Sequence, residues 1–155
     1  MKKILIGIDE SPFADHAAAY GFVLAEKLNA DVGLIHIIEP IVAPTPITAD
    51  YAIGMPFDNT SETMLPEMMH IQDEQSRGMI AQTIKKYGGD TLITVFTEYG
   101  DTADGIIECS KKFNADMIVI GTHSRTGIDR FLMGSVAEHV VRHSEIPVLV
   151  VPFKS

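Results

Sequence analysis

The sequence predicts an α/β protein: a single-domain, open, parallel five-stranded sheet in the order 3-2-1-4-5, with helices on both faces. Three observations carry that prediction. Strand-like and helix-like segments alternate from end to end, and such alternation implies parallel strands joined by right-handed crossovers. The strand-like segments are short, largely apolar runs, as expected of strands covered on both faces. At 155 residues, 46% hydrophobic and 21% charged, the chain suits one globular domain spanning 1–155.

Lys3–Asp9 reads as strand one. Ser11 and Pro12 then supply an N-cap and a first-turn proline. Ala14, Ala18, Gly21, Phe22, Ala25 and Leu28 follow at helical spacing, with Asn29 as the stop. Val32–Glu39 reads as strand two, with His36 a hydrogen-bonded core histidine. Pro40, Pro44, Pro46 and Pro56 mark a long connection over about 40–59, of the kind that is usually functional or mobile. A helix is expected from about Ser61 to Tyr87, its first turn disturbed by Pro66 and its methionines, among them Met68, Met69 and Met79, filling the core. Thr91–Thr97 is strand three. Asp101 or Thr102 caps a helix through Phe113, with Ala103, Ile106, Ile107 and Phe113 facing inward. Met117–Ile120 is strand four. Ser135–His143 is a helix with Val136, Ala137, Val140 and Val141 on one side, and Ile146–Val151 is strand five.

The net charge of −9 argues against a protein that coats nucleic acid or an anionic membrane. Cys109 is the single cysteine, so no internal disulfide forms and a reducing compartment is expected. Lys2-Lys3 leads directly into strand one, and no apolar run of about 18 residues occurs, so the expectation is a soluble, cytoplasmic protein. In the predicted order strand five is an edge. It is apolar and carries no charge to block pairing, which predicts a homodimer joined through 146–151.

Ligands of such sheets sit at the carboxyl ends of the strands, where the winding reverses. That brings Ile8-Asp9-Glu10 together with the loop after Gly121. This loop carries Gly121, Gly127 and Gly134 and ends at the mouth of a helix, at Gly134-Ser135. Free backbone N–H groups and the positive end of a helix dipole would there converge on one point, as a phosphate requires. His123, Arg125 and Arg130 concentrate positive charge in the same loop. The spacing is not a Walker A loop, because no lysine follows the final glycine. Nor does a G-x-G-x-x-G follow strand one.

The chain resembles the universal stress protein family over essentially its whole length, from Ile4-Leu5-Ile6-Gly7-Ile8-Asp9-Glu10-Ser11 to Pro147-Val148-Leu149-Val150-Val151-Pro152. Nucleotide-binding members carry G-x-x-G, nine residues, then G-[ST]. Gly121 to Ser124, nine residues, and Gly134-Ser135 occupy that pattern here, with Ser124 where the family has its second glycine. If that position needs a positive φ or very close backbone approach, the Cβ costs about 1 kcal/mol or more. If only its N–H is used, serine is tolerable.

The resemblance implies a Rossmann-like fold of the adenine nucleotide alpha hydrolase type, and ATP or another adenine nucleotide as ligand. It places Gly7, Ile8 and Asp9 by the ribose and phosphates, and the backbone of Ile37 at the adenine edge. Ile120, Gly121, Ser124, Gly134, Ser135 and Val136 would line ribose and phosphates, with His123 and Arg125 beside them. Magnesium, when present, would be held by the phosphates and not by a protein cage. It implies a nucleotide-holding stress-response protein that forms homodimers. An anion cradle beside the long 40–59 connection adds the expectation of a signalling module that addresses a protein partner the sequence does not name. No nucleophile, base and orienting partner stand out at workable positions, so dedicated catalysis is not expected. The alternatives are a nucleotide-independent interaction protein of the same fold, or a slow ATPase using Asp9 or His123 to orient water.

Overall fold

The computed structural model describes residues 2–40, 60–122 and 133–153, with side chains throughout except over 60–65. The elements run β1 (Lys3–Gly7), α1 (Pro12–Leu28), β2 (Asp31–Ile38), α2 (Thr60–Tyr87), β3 (Ile93–Tyr99), α3 (Thr102–Phe113), β4 (Met117–Gly121), α4 (Ser135–His143) and β5 (Val148–Val151). The strands form one sheet, all parallel, in the order β3-β2-β1-β4-β5. The parallel pairing follows from the alternation of segments, and the order is the one expected.

Side-chain alternation along the strands divides the core into two layers. Ile4 and Ile6 of β1, with Val32 and Leu34 of β2, pack against Ala17, Ala18, Phe22 and Ala25 of α1, and α2 adds Ile80. On the other face Leu5, Ile35, Ile37, Ile118 and Ile120 meet Ala103, Ile106, Cys109 and Phe113 of α3, and Ala137 and Val140 of α4. Complete burial of each large aliphatic side chain contributes roughly 1.5–3 kcal/mol, so the central strands anchor the fold. Cys109 belongs to this packing. It is fully buried, and desolvation, with Glu98 nearby, pushes its thiol up to about 12, so it is a core residue as expected.

The helices start and stop where the sequence directs. Ser11 caps α1, its Oγ accepting from the Ala14 N–H at 3.2 Å, and Pro12 occupies the first turn. Asn29 ends α1 in the left-handed region at φ 50°, and Asn114 ends α3 in the same way at φ 54°. Asp101, rather than Thr102, caps α3, accepting from the Asp104 N–H at 3.0 Å.

Several boundaries shift for reasons found in the pairing. β1 stops at Gly7, because Asp9 turns its carboxylate back onto the Ser11 N–H at 2.7 Å. β3 begins two residues later than expected, since Thr91 still closes the turn after α2 by donating to the Gly88 carbonyl at 3.0 Å. β5 begins at Val148, after Pro147, which has no N–H to donate. α2 begins at Thr60 and continues through Pro66. Only part of α2 meets the core, through Ser76, Met79, Ile80, Ile84 and Tyr87. Met68 and Met69, 39% and 51% exposed, are not core filler. They lie about one turn N-terminal to Gln72, which lines the cleft beyond the end of β1. Val141 is likewise exposed, at 45%, so the inward face of α4 consists of Ala137 and Val140 with Val136 half-buried beside them. Ile107 is also half-buried.

Candidate functional site

Unequal strand lengths open a cleft in the middle of the sheet. β1 and β2 are paired up to Gly7 and Ile35, and the last link is the Ile8 N–H donating to the Ile35 carbonyl at 2.9 Å. β2 then runs three residues further, paired with β3 through Ile38 and Tyr99. In a parallel strand alternate residues turn both N–H and C=O to the same neighbour. Ile35 faces β1, and the Ile38 carbonyl, accepting from the Gly100 N–H at 3.1 Å, faces β3. By that alternation the N–H and C=O of Ile37 face the space that β1 has vacated. The cleft there measures about 460 Å³ and is walled by the ends of β1, β2 and β4 and by α2, α3 and α4. It stands where the direction of winding reverses, between β1 and β4.

Helices begin at this end of the sheet after each of the first four strands, and the first turns of α1, α3 and α4 differ. Ser11 satisfies the start of α1, and Asp101 the start of α3. α4 begins after Gly134, which has no side chain to cap it, and no side-chain cap is formed. Gly134 and the first-turn residues Val136 and Ala137 line the cleft. Among the described residues no side chain caps the N–H groups of that turn, which with the positive dipole end could face an anion. The Gly134 N–H donates to the Thr122 carbonyl at 2.6 Å, so the loop leaving β4 returns to its starting point before α4 begins.

The structure gathers most of the residues that the sequence singles out. Gly7, Ile8, Asp9, Ile37, Ile120, Gly121, Gly134 and Val136 all line this one cleft. Ser135 opens α4 and is exposed, but does not line the cleft. His123, Ser124, Arg125 and Arg130 lie outside the described residues, as does the connection from 41 to 59. Gly121 has a packing reason of its own. A Cβ there would stand 2.8 Å from the backbone C and O of Phe13, where α1 crosses the end of β4. Asp9 also has a structural task, holding the Ser11 N–H with Oδ1.

Sequence reasoning missed the far wall. Glu39, Gln72, Gln75, Ser76 and Thr102 line the same cleft, together with Glu10, which the sequence does bring to the crevice beside Asp9. His36 is half-buried with Nδ1 2.8 Å from the Oγ of Ser76, itself buried on α2. The Thr102 hydroxyl donates to Glu39 Oε1 at 2.8 Å, and Gln72 Nε2 approaches the Glu39 carbonyl at 3.5 Å. Ser76 did leave a signal, since it precedes Ile80 and Ile84 at helical spacing and so falls on the inward stripe of α2. Gln72 and Gln75 left none, because glutamines on a polar helix look like solvent-facing residues. The cleft is thus two-ended: carboxylates and amides surround the tip of β2, and an open helix terminus lies at α4.

Fold and cleft together define a doubly wound α/β protein with a crevice at its topological switch point. Comparison with known proteins is more specific. The sequence model of the universal stress protein family matches residues 1–152, and the chain belongs to that family. Universal stress protein MJ0531 of Methanocaldococcus jannaschii is 31% identical over 152 residues, covering 97% of this chain and 81% of its own length. Stress response protein NhaX of Bacillus subtilis is 29% identical, covering 96% of each chain. Among solved structures, the universal stress protein UspA from Lactobacillus plantarum superposes with a TM-score of 0.79 at 19% identity, covering 97% of both chains. A universal stress protein in complex with cAMP gives 0.59 at 19% identity, covering 97% of this chain and 96% of its own. One from Archaeoglobus fulgidus in complex with dAMP gives 0.59 at 16% identity, covering 97% of both.

Proposed function

We propose that the cleft holds an adenine nucleotide, ATP in the first instance, and that the protein serves as a nucleotide-holding module in stress response or signalling. The observation that carries this reading is the edge of Ile37, unpaired among the described residues. Its C=O can accept from the adenine N6 amino group while its N–H donates to N1, one acceptor and one donor facing one donor and one acceptor. Guanine offers the reverse order on that edge. The phosphates would then extend to the N–H groups of the first turn of α4, with Ser135 and Ser124 within the same loop and His123 and Arg125 adding charge. Asp9 would lie beside the ribose. Relatives solved with cAMP and dAMP support the class of ligand.

Among the described residues no three His, Cys, Asp or Glu side chains gather to hold a metal ion. A magnesium ion would therefore arrive on the nucleotide, held by its phosphates. No helix among the described residues is long and apolar enough to cross a membrane. The reading places the protein in the cytoplasm as a homodimer paired along β5, where ligand binding alters a surface offered to a partner protein.

Calorimetric titration of the purified protein with Mg-ATP tests this reading. Saturable binding at or below millimolar ligand is expected, weakened when GTP replaces ATP. No heat with any adenine nucleotide at millimolar concentration would remove it. Ser124, standing where the family motif has a glycine, favours one rival: a nucleotide-independent interaction protein of the same fold. A silent wild type whose Ser124→Gly variant gains strong ATP affinity would establish that rival.

A further inference from the structure

We infer that Glu39, held in place by Thr102, is a specificity-determining residue that selects 6-amino over 6-oxo purines. The inference rests on the adenine reading of the cleft and adds to it a side chain that neither the motif nor the glycine loop identifies. Glu39 directly follows the last residue of β2 and lines the cleft two residues beyond Ile37. Successive side chains there point to opposite faces. His36 reaches Ser76 of α2, Ile37 packs against α3, and Glu39 returns to the α3 side, where the Thr102 hydroxyl donates to Oε1 at 2.8 Å. A carboxylate can accept through either oxygen, and the Thr102 bond takes a single site on one of them. The remaining acceptor capacity stands at the β2 end of the cleft, beyond the Ile37 carbonyl.

An adenine paired with Ile37 directs its exocyclic N6 amino group toward that end. One N6 hydrogen serves the Ile37 carbonyl, and the second needs an acceptor. Glu39 supplies it, as a charge-assisted hydrogen bond. A 6-oxo purine sets a carbonyl oxygen against the carboxylate instead, acceptor facing acceptor, with no proton between them. A site built around a polar group of the ligand rejects the analogue that lacks it far more strongly than an apolar pocket rejects a shape. The layout of charge agrees. Glu39 stands at the tip of β2 and would repel phosphate, while the phosphate-seeking helix terminus belongs to α4 at the other end.

The test compares ATP with ITP, which differ on the base only in the 6-substituent and the N1 proton that accompanies it. Dissociation constants are measured by calorimetry for the wild type, Glu39→Gln and Thr102→Val, with thermal unfolding confirming that each variant is folded. Glu39 is exposed, so the substitution disturbs no core. The wild type is expected to prefer ATP. In Glu39→Gln the ITP-to-ATP ratio of dissociation constants should fall roughly tenfold, the loss that follows removal of one hydrogen bond to a charged acceptor. The glutamine amide can also turn a donor to the 6-oxo group. Thr102→Val should lower the ratio less, because the carboxylate remains but loses its tether. A ratio within twofold of wild type in Glu39→Gln, while ATP still binds, would overturn the role of Glu39 and leave the adenine reading standing. A wild type that binds neither nucleotide would overturn both.

Discussion

At Gly121 the end of β4 passes so close to α1 that a methyl group would stand 2.8 Å from main-chain atoms of Phe13. Backbone cannot rotate aside as a side chain can, so the strand end or the helix start has to move. Gly121→Ala is expected to destabilise the protein by about 1–3 kcal/mol, the usual effect of overpacking. A shift of the urea midpoint without a change of slope would show it. An unchanged midpoint would mean that the first turn of α1 yields freely. The glycine that the sequence marks as a ligand residue is thus also a packing residue, and a substitution there changes both properties. Asp9 poses the same difficulty, because it lines the cleft while holding the Ser11 N–H. Both roles are local, and residue type alone does not separate them.

Among the elements, β1 depends on its neighbours at both ends. At its start Asp116, just ahead of β4, accepts from the N–H groups of Lys2 and Lys3 at 2.6 and 3.0 Å. These bonds, Lys2 first and then Lys3, hold the Asp116 carboxyl below its ordinary value of 3.8. A carboxyl with a lowered folded-state pKa stabilises the fold above its unfolded value, and that contribution is lost as the pH falls through the folded one. The acid limb of stability below about pH 4 should therefore be shallower in Asp116→Asn than in wild type. Urea midpoints measured between about pH 6 and about pH 3 would reveal it. Identical acid limbs would show that the two bonds do not persist in solution.

Strand identity was legible because β1, β2 and β4 are short apolar runs, and the cap Ser11 because Pro12 follows it, whereas Asp101 and Thr102 both suit the start of α3. The limits of β3 and β5 were less legible. They depend on register against β2 and β4, which composition does not encode. The course of α2 was hardest to read. Its inward stripe is interrupted by Ser76, and its methionines lie on the part that extends past the sheet. A window of sequence has no means of registering where a neighbouring sheet ends.

For the molecule as a whole, two features depend on topology and not on any single motif. The first is the cleft itself, which exists because β2 outruns β1 in the centre of the sheet. Gly121 and Gly134, at the two ends of the loop, were legible from spacing, whereas Gln72 and Gln75 of its α2 wall were not. The second is the free edge of β5, where Leu149 is partly exposed and no charge lies within Val148–Val151. Such edges invite pairing with a second chain. Sedimentation should give a dimer for the wild type and a monomer for Leu149→Lys, since lysine on an edge strand opposes pairing. A wild-type monomer at all concentrations would refute the β5 dimer while leaving the cleft untouched.

The central claim is that a single ligand bridges the tip of β2 and the start of α4. Backbone amide resonances observed while Mg-ATP is added test this most directly. The account predicts that the Ile37 amide and the amides of Val136 and Ala137 shift together along one saturation curve, while amides at the opposite end of the sheet, such as Ile4 and Val32, stay in place. Saturable binding that leaves the Ile37 and Val136 amides unmoved would contradict it.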